Sequence, residues 1–513
     1  MDPIPAVSKT ERAVTPSDTL FARCVAGRES YWFLVIVCVA AALYVHNLCY
    51  SDIWADEALT KAMVRHPLPQ LLRLVANDAH PPLYFVGLKL FTGIVGNTDY
   101  TIRLFSVLGT LSTMVLCYAV GQRVFGRAGA LCLCLMLLAL PMPGLYARMA
   151  RMYTWAGFVT FGVFLYSVLY ARHHRRVDLA LLGLFYLMAA YTHYYCLIAA
   201  FWSGAALLGW MWARRNPAWR GLAAMGMVVL LLFLPWMFVL VSQARMVHRD
   251  YWIPPATWSI VLSCYTQPFG GFFRLYPYTY GLFGVFGGLT IVAIWQWSAS
   301  RRSETGFPLW LALLVFNATL LTAAVLSHVF KPILFPRYVM TVAPLLAIPP
   351  TLALLHWRRR WLQAIVLAGT LCCGGYIVFA ESYFSFGPYQ QALQRLAKTH
   401  PEVRKVLHLT EITANPFAEY GRGCSWKQAY LRNAGSSWYS NMDALDELAS
   451  IREVRDWMQP AESFCLVVFE NLPLNRENVD LVLNQCRTIA VEEVADEKPY
   501  SGVKLKLYLL TVL

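Results

Sequence analysis

The sequence predicts a polytopic α-helical membrane protein, and three observations support that fold class. Of the 513 residues, 58% are hydrophobic and only 14% are charged, whereas about 25% of the residues in a soluble domain are charged. Apolar runs of about 20 residues, long enough to cross a bilayer as helices, recur along most of the chain. Basic clusters fall on alternate connections between these runs, which is the pattern of a protein threaded through a membrane.

Eleven apolar runs are predicted to span the membrane, after a polar N-terminal tail of residues 1–30. This tail is long for a signal peptide, and the first apolar run continues past the Ala40-Ala41-Ala42 stretch, so we expect an uncleaved first span. The runs lie near residues 31–50, 101–121, 128–146, 154–171, 178–193, 197–213, 221–241, 279–298, 308–328, 338–356 and 361–380.

The basic clusters set the predicted orientation. Because they favour the cytoplasmic side, the N-terminus is expected inside, and residues 51–100 and the part after about residue 380 outside. The apolar run from Pro82 to Val95 has only about 14 residues, short for a span, and a span there would put the clusters out of register. We expect it to lie along the membrane surface. The clusters are Lys9 to Arg28, Arg123 and Arg127, Arg172 to Arg176, Arg214 to Arg220, Arg301 and Arg302, and Arg358 to Arg360.

The net charge of +14 does not indicate nucleic-acid binding. After residue 380 the chain has 17 acids and 14 bases, so the basic excess lies in the apolar part. Basic residues there set the topology and bind anionic lipid head groups. We therefore expect membrane lipids as partners and no nucleic acid.

Residues 381–513 are predicted to form a small external α/β domain. Amphipathic or helical patterns lie at residues 389–399, 442–457 and 476–485, and strand patterns at 403–409, 464–469 and 503–510. Alternating strands and helices are typical of an α/β fold. The pairing of Cys424, Cys465 and Cys486 is left open, because their number is odd. No catalytic motif is evident in this part.

Acids are rare between residues 30 and 380, where only eight occur, and five of these lie in the predicted external loop. Asp56 and Glu57 follow Trp54 at the foot of the first span and begin an amphipathic stretch. A carboxylate at the membrane interface is partly desolvated, which raises its basicity, and it could take a proton from a hydroxyl. The other three, Asp52, Asp78 and Asp99, are interpreted as solvated loop charges.

Several basic residues are predicted on the external side, where the orientation rule disfavours them. Arginine and lysine at an interface bind phosphate, although each could instead extend to lipid head groups. Arg151 and Arg337 are favoured because a tyrosine follows each closely at the edge of a span. A carboxylate pair facing such cations fits transfer of a group from a lipid phosphate to a hydroxyl. The external basic residues are Arg148, Arg151, His193, Arg245, His248, Arg249, Lys331 and Arg337.

Six short motifs occur in an order that resembles the bacterial branch of the GT-C glycosyltransferases, similar to protein O-mannosyltransferases and the aminoarabinose transferase of lipid A. They are DE (56–57), HPPLY (80–84), ARMYT (150–154), THYY (192–195), YWIPP (251–255) and PRYVMTVAP (336–344). The resemblance covers residues 30–380. It implies a GT-C-type bundle of about 11 transmembrane helices over residues 31–380, in the bacterial cytoplasmic membrane with the tail domain in the periplasm.

The resemblance also implies an activity, namely inverting transfer of a hexose or pentose from a polyprenyl-phosphate donor to a hydroxyl of a lipid, glycan or protein acceptor. Asp56 would be the general base, and Glu57 would assist it or exchange roles with it. The donor phosphate would be held by Arg148, Arg151, Lys331 and Arg337. The substrate-binding residues would be His80 and Tyr84 on the acceptor side, His193 near the donor, and Tyr153 and Tyr338.

Three points stay open at this stage. Met149 stands where relatives often have an acid before ARMY, so the way the donor sugar is held is undefined. The Asp56-Glu57 pair could bind a divalent cation, but no third ligand is evident, and no metal or cofactor is predicted. A multi-pass transporter or flippase, or a non-catalytic lipid-binding scaffold, are the alternatives; a transporter would usually show paired repeats and broken spans, and no repeat is visible.

Overall fold

The structure is a computed structural model, and the part it describes is mainly helical. It describes residues 27–249, 253–271, 275–298, 306–357, 359–431, 445, 448–451, 454, 457–459, 461–469, 476–498 and 504–513. Most of the predicted N-terminal tail and the first two residues of YWIPP therefore lie outside the described residues. The sixteen helices described before residue 382 are α1 (Glu29–Val45), α2 (Ala55–Met63), α3 (Leu68–Ala76), α4 (Leu83–Val95), α5 (Asp99–Ala119), α6 (Gln122–Ala139), α7 (Pro141–Ala147), α8 (Tyr153–His173), α9 (Arg176–Thr192), α10 (Tyr194–Ala213), α11 (Trp219–Arg249), α12 (Trp258–Thr266), α13 (Tyr276–Trp297), α14 (Phe307–Val329), α15 (Ile348–Leu355) and α16 (Arg360–Glu381).

Each of the eleven predicted spans coincides with a helical segment. Among the described residues, eight helices are long and apolar enough to cross a membrane, namely α5, α6, α8, α10, α11, α13, α14 and α16. The other three are shorter, since α1 and α9 have 17 residues each and the run at 338–356 is divided into two 3-10 segments and α15. Pro336, Pro344 and Pro349 lack the amide hydrogen that a continuous helix needs. The predicted fold class is confirmed.

The predicted external loop is helical for much of its length and holds α2, α3 and α4. The short apolar run forms α4, whose 13 residues are fewer than the about 20 of a spanning helix. Asn97 donates from Nδ2 to the carbonyl of Lys61 at 3.1 Å, and Lys89 donates from Nζ to the carbonyl of Val64 at 3.1 Å. These bonds tie the end of α2 to α4 and to the segment that follows it.

Helices α6 and α16 approach closely at Gly374. A Cβ atom at Gly374 would lie 2.0 Å from the carbonyl oxygen of Ala139, whereas nothing lies within 4 Å of a Cβ at Gly375. Small residues allow such close packing between membrane helices.

We predict that Gly374→Ala forces the two helices apart and destabilises the protein by the roughly 1–3 kcal/mol that is typical of overpacking. The measurement is the melting temperature in detergent, and Gly375→Ala is the matched control with no expected loss. Equal losses in the two variants would contradict the close approach.

The C-terminal part forms a six-stranded mixed sheet in the order β3-β2-β1-β4-β6-β5. Strands β1 to β4 run parallel, and β6 pairs antiparallel with β4 and β5. The predicted strands near 403–409, 464–469 and 503–510 and the helices near 389–399 and 476–485 are confirmed. The elements are α17 (Tyr389–Thr399), β1 (Lys405–His408), α18 (Glu411–Tyr420), β2 (Lys427–Leu431), β3 (Leu448–Ile451), β4 (Ser463–Phe469), α19 (Arg476–Leu483), β5 (Cys486–Ala495) and β6 (Lys504–Val512).

The predicted helix near 442–457 is wrong where the structure describes it, because Leu448–Ile451 is strand β3 and pairs with β2. Pairing with a neighbouring strand outweighs the local preference of so short a segment. The sequence analysis also missed α18, which contains Pro416, and the edge strand β5, whose exposed charged residues hide its alternation. Cys424 and Cys465 are free thiols.

Candidate active site

Helix α2 carries both predicted catalytic acids, and it places them in different surroundings. Successive residues of an α-helix point about 100° apart, so neighbouring side chains do not share a face. Glu57 is fully buried, whereas the side chain of Asp56 is 34% exposed. Both lie in the first turn, where the helix dipole stabilises negative charge. Only Asp56 is therefore accessible to a substrate.

Glu57 is held by a buried bidentate ion pair with Arg103 of α5. Arg103 Nη2 lies 2.7 Å from Glu57 Oε2, and Arg103 Nε lies 2.9 Å from Glu57 Oε1. The amide of Ala150 also donates to Oε1 at 2.8 Å, and the amide of Trp54 donates to Oε2 at 3.4 Å. Both carboxylate oxygens are occupied, which favours a positioning role for Glu57 and argues against an exchange of roles with Asp56.

Arg103 was missed by the sequence analysis, although a signal was present. Its guanidinium also donates to the carbonyls of Leu48, Ser51 and Asp52, at 3.0, 2.9 and 3.2 Å. It thus joins the end of the first span to the start of α2 from within the next span. An arginine inside an apolar run, at the end where the orientation rule disfavours basic residues, is expensive unless it is paired. That position could have identified it.

Two of the predicted phosphate-binding cations lie beside Asp56. Arg337 Nη1 is 3.3 Å from Asp56 Oδ2. The guanidinium of Arg337 also lies over the ring of Trp54, 5.3 Å from its centroid. Arg151 is buried and donates from Nη1 to Thr60 Oγ1 at 3.1 Å and towards the carbonyl of Asp56 at 3.5 Å. A partly exposed carboxylate is therefore flanked by two guanidinium groups of the kind that binds phosphate.

A cavity of about 600 Å³ opens at Arg337. Its walls come from the segment that leads into α2, the connection after α7, and helices α12 and α13. Met149, which stands where relatives often carry an acid, lines this cavity, so its lining there is apolar instead of charged. The residues that line the cavity include Trp54, Tyr146, Met149, Tyr280, Phe335 and Arg337.

Four of the five predicted substrate-binding residues form one aromatic cluster. The ring centroids of His80 and His193 are 5.4 Å apart, those of His193 and Tyr338 5.2 Å, and those of Tyr153 and Tyr338 6.2 Å. Burial and the positive charge of Arg151 hold the pKa of His80 well below its usual value, so its imidazole is neutral at neutral pH. Tyr84 lies apart, packed against Phe85 and Phe105.

The proton of the neutral His193 ring can be assigned from its hydrogen bond. Its Nδ1 accepts from the amide of Tyr195 at 3.1 Å, so Nε2 carries the proton in the neutral tautomer. That buried N–H has no hydrogen-bond partner among the described residues. This N–H group can therefore donate a hydrogen bond to a ligand inside the cluster.

The interpretation of Asp78 as a solvated loop charge is wrong. Its side chain is buried, Oδ1 accepts from the amide of Ala79 at 2.8 Å, and Oδ2 has no hydrogen-bond partner within the described part of the chain. Burial raises the pKa of Asp78, and the charge of Arg151 opposes that rise. Asp78 is thus an additional acid near the cations, two residues before His80.

Asp52 and Asp99 are also bonded, contrary to their interpretation as solvated charges. Asp52 Oδ2 accepts from the amide of Gln390 at 2.9 Å. Asp99 Oδ1 lies 2.7 Å from Lys61 Nζ, and its Oδ2 accepts from the hydroxyl of Tyr420 at 3.0 Å. Both acids join the predicted external loop to the C-terminal part of the chain, Asp52 through Gln390 and Asp99 through Tyr420.

The geometry gives Arg148 and Lys331 no place beside Asp56. Arg148 donates to the carbonyls of Tyr44, His46, Asn47 and Ser382, so its guanidinium is taken up in joining α1 to the segment after α16. Lys331 is half-buried on the connection after α14, and the cation paired with Asp56 is Arg337. The bonds to backbone carbonyls favour a structural role for Arg148, and its phosphate-binding role stays a prediction.

The geometry does not make a metal chelate of Asp56 and Glu57. Both oxygens of Glu57 accept bonds from Arg103 and backbone amides, and Asp56 faces Arg337. Within the residues that the structure describes, no group of three or more His, Cys, Asp or Glu side chains is placed to hold a metal ion.

The fold and these residues are similar to those of membrane proteins of the GT-C type. Residues 79–238 match the family described as dolichyl-phosphate-mannose-protein mannosyltransferase, a stretch that includes Arg151 and the HPPLY and THYY motifs. The chain is similar in structure to ArnT from Cupriavidus metallidurans bound to undecaprenyl phosphate, with a TM-score of 0.61, 15% identity and coverage of 93% of this chain and 98% of that one. The resemblance to the GT-C superfamily is confirmed.

Two further structures agree with that fold. ArnT from Cupriavidus metallidurans in the apo state has a TM-score of 0.60 and 14% identity, with the same coverage of both chains. The Archaeoglobus fulgidus oligosaccharyltransferase in complex with Zn and sulfate has a TM-score of 0.50 and 13% identity, covering 75% of this chain and 61% of that one. No curated protein sequence matches the chain.

Proposed function

We propose that this protein transfers a sugar from a polyprenyl-phosphate donor to an acceptor hydroxyl on the outer face of the bacterial cytoplasmic membrane, with inversion at the anomeric carbon. The observation that supports this most directly is the contact between Asp56 and Arg337 at the edge of a 600 Å³ cavity. The base that deprotonates the acceptor and the cation that binds the leaving phosphate must both reach the same sugar. Asp56 and Arg337 are close enough to each other to do so.

The proposed reaction is a single displacement. Asp56 takes the proton of the acceptor hydroxyl, the acceptor oxygen bonds to the anomeric carbon, and the bond from that carbon to the phosphate oxygen breaks. The polyprenyl phosphate leaves with the electron pair, and its growing negative charge is stabilised by Arg337 and Arg151. Glu57 does not react; it fixes α2 against α5, and thereby the direction of Asp56.

A second cavity provides room for a lipid chain. It also has a volume of about 600 Å³ and is lined mainly by apolar residues of α12 and α14, including Trp258, Leu320 and Val325. Helix α12 divides it from the cavity at Arg337, because Ser263 lines one and Val261 the other. A cavity that contains the charged Arg337 next to an apolar one suits a substrate with a phosphorylated head and a hydrocarbon tail. The bound undecaprenyl phosphate of the similar ArnT structure supports a carrier of this class.

The direct test uses the purified full chain in detergent with a polyprenyl-phosphate sugar labelled in the sugar. We expect transfer to an added membrane extract, or slow release of the sugar to water, with polyprenyl phosphate as the second product. A protein that moves the intact donor across vesicles but never cleaves it would be a flippase, and the proposal would then be wrong.

Removing Arg337 should weaken the leaving-group stabilisation. We predict that Arg337→Ala lowers kcat/KM by about 10²–10³, the loss typical of one lost charge-stabilising contact in a transition state, and that Arg337→Lys recovers only part of it because lysine lacks the planar fork. Lys331→Ala is the matched control, since Lys331 lies on the same connection without touching Asp56, and we expect a change of less than about threefold. Equal losses at both positions would contradict the assignment of the phosphate to Arg337.

A further inference from the structure

We infer that the C-terminal domain positions the catalytic base, through Asn415 and Tyr420 of α18. This inference rests on the proposed function of Asp56, but it concerns a different part of the chain. Helix α18 belongs to the six-stranded domain, yet it packs directly against α2. A domain whose sequence carries no catalytic motif thus lies against the helix that carries the base.

Helix α2 depends on its surroundings for its position. It has nine residues, and isolated helices shorter than about 12–15 residues are marginal in water. Its backbone direction is therefore set by what contacts it from outside. Arg103 holds one side through Glu57, and α18 holds another.

Asn415 contacts the residue immediately before Asp56. Its side chain is buried, and Nδ2 donates to the carbonyl oxygen of Ala55 at 3.2 Å. Carbonyls in the first turn of a helix also accept bonds within the helix, so a second donor there fixes the orientation of the first turn. Because Asp56 is the next residue, a rotation of that turn would move its carboxylate directly.

Tyr420 fixes the segment that enters α2. Its hydroxyl accepts from the amide of Ile53 at 2.8 Å and donates to Asp99 Oδ2 at 3.0 Å. Burial, with the carboxylates of Asp99 and Asp52 adding to it, raises the pKa of Tyr420, so the phenol keeps the proton that it donates. One hydroxyl thus joins the start of α2 to the first residue of α5.

Glu419 holds the other end of α2. Its buried carboxylate lies 3.0 Å from Lys61 Nζ and also pairs with Arg65, while Lys61 bridges on to Asp99 at 2.7 Å. The beginning and the end of α2 are therefore both attached to α18. A helix attached at both ends cannot shift without moving the domain.

The consequence is a positioning effect on Asp56. A displacement of about 1 Å at a reacting group can cost about a hundredfold in rate even when its cause lies far from the chemistry. The domain then acts on the rate of the chemical step. A domain that served acceptor recognition would instead change the KM for the acceptor.

The test compares Tyr420→Phe and Asn415→Ala with Tyr508→Phe, a matched control that removes the hydroxyl of a half-buried tyrosine packed against the core of the same domain. We expect kcat per donor-binding site to fall at least tenfold in the first two and to stay within twofold in the control. The KM for the donor should stay the same, because Arg337 and Arg151 are unchanged. A merely structural role would lower the melting temperature and the number of donor-binding sites, while kcat per site stayed constant.

Two results would overturn the inference. One is an unchanged kcat per site in both variants; the other is a raised KM for the acceptor at constant kcat, which would assign the domain to acceptor recognition. If the wild-type protein shows no transfer at all, the proposed function fails by itself, and amide hydrogen exchange still tests the positioning. Exchange over residues 53–63 should be faster in Tyr420→Phe than in Tyr508→Phe, and equal rates would contradict the inference.

Discussion

Asp56→Asn should lower kcat by about 10²–10⁴, the contribution typical of a general base. Asparagine keeps the shape of the side chain and can still accept a bond from Arg337, but it cannot take a proton from the acceptor hydroxyl. The KM for the donor should therefore change little, because the guanidinium groups of Arg337 and Arg151 remain. Steady-state transfer with a labelled donor, together with equilibrium binding of polyprenyl phosphate, separates these two effects.

Asp52→Asn is the matched control for this prediction. Asp52 lies four residues earlier in the same loop and accepts from the amide of Gln390, so its substitution tests a loop acid whose bond is to the C-terminal part of the chain instead of to Arg337. We expect it to retain kcat within about threefold, since an exposed bond of this kind contributes only about 1 kcal/mol. Full activity in Asp56→Asn would assign the base to another group, and Asp78 would then be the first to examine.

The fold was predictable because its determinants are local. A run of about 20 apolar residues is long enough to cross a membrane as a helix, and the basic residues between runs predict its orientation. The run at 338–356 departs from a regular helix because Pro344, Pro349 and Pro350 lie within it. In the C-terminal domain, β1, β4 and β6 have buried apolar runs and were predictable, whereas β3 exists only through its pairing with β2.

A site residue was predictable only where a reactive side chain occurs at a sequence position that also predicts exposure at the end of a span. Asp56 lies in an amphipathic stretch after a span, and Arg337 lies at a span edge, so local sequence identifies both. Arg148 shows the same local signal, but its guanidinium meets backbone carbonyls because of how α1 and α16 pack. Whether an arginine meets a carbonyl or a substrate is decided by residues distant in sequence.

The division of labour between Asp56 and Glu57 depends on one such distant residue, Arg103. Glu57 is neighbour to Asp56 and has the same chemistry, so no local pattern separates them. Arg103 lies 46 positions later, and by occupying both oxygens of Glu57 it leaves Asp56 as the accessible acid. The function of the pair is therefore a property of tertiary structure.

Arg103→Met should have the largest effect on stability. It leaves the carboxylate of Glu57 buried without a counter-ion, and breaking a buried pair from one side costs about 3–5 kcal/mol. It also removes the donors for the carbonyls of Leu48, Ser51 and Asp52. We expect a large fall in melting temperature and in the yield of monodisperse protein. Arg395→Met is the control, since its pair with Glu492 is exposed and such pairs contribute about 0–1 kcal/mol.

The double variant Arg103→Met with Glu57→Met separates stability from catalysis. Replacing a buried ion pair by apolar residues of similar size is often neutral for stability, so the double variant should melt well above Arg103→Met alone. It cannot accept from the amide of Ala150, as Glu57 does at 2.8 Å, so α2 loses one of the contacts that fix its direction. Stability should therefore recover while kcat stays low. Recovery of both would show that the ion pair serves folding alone, and the contacts of α2 with α18 would then suffice to hold the direction of Asp56.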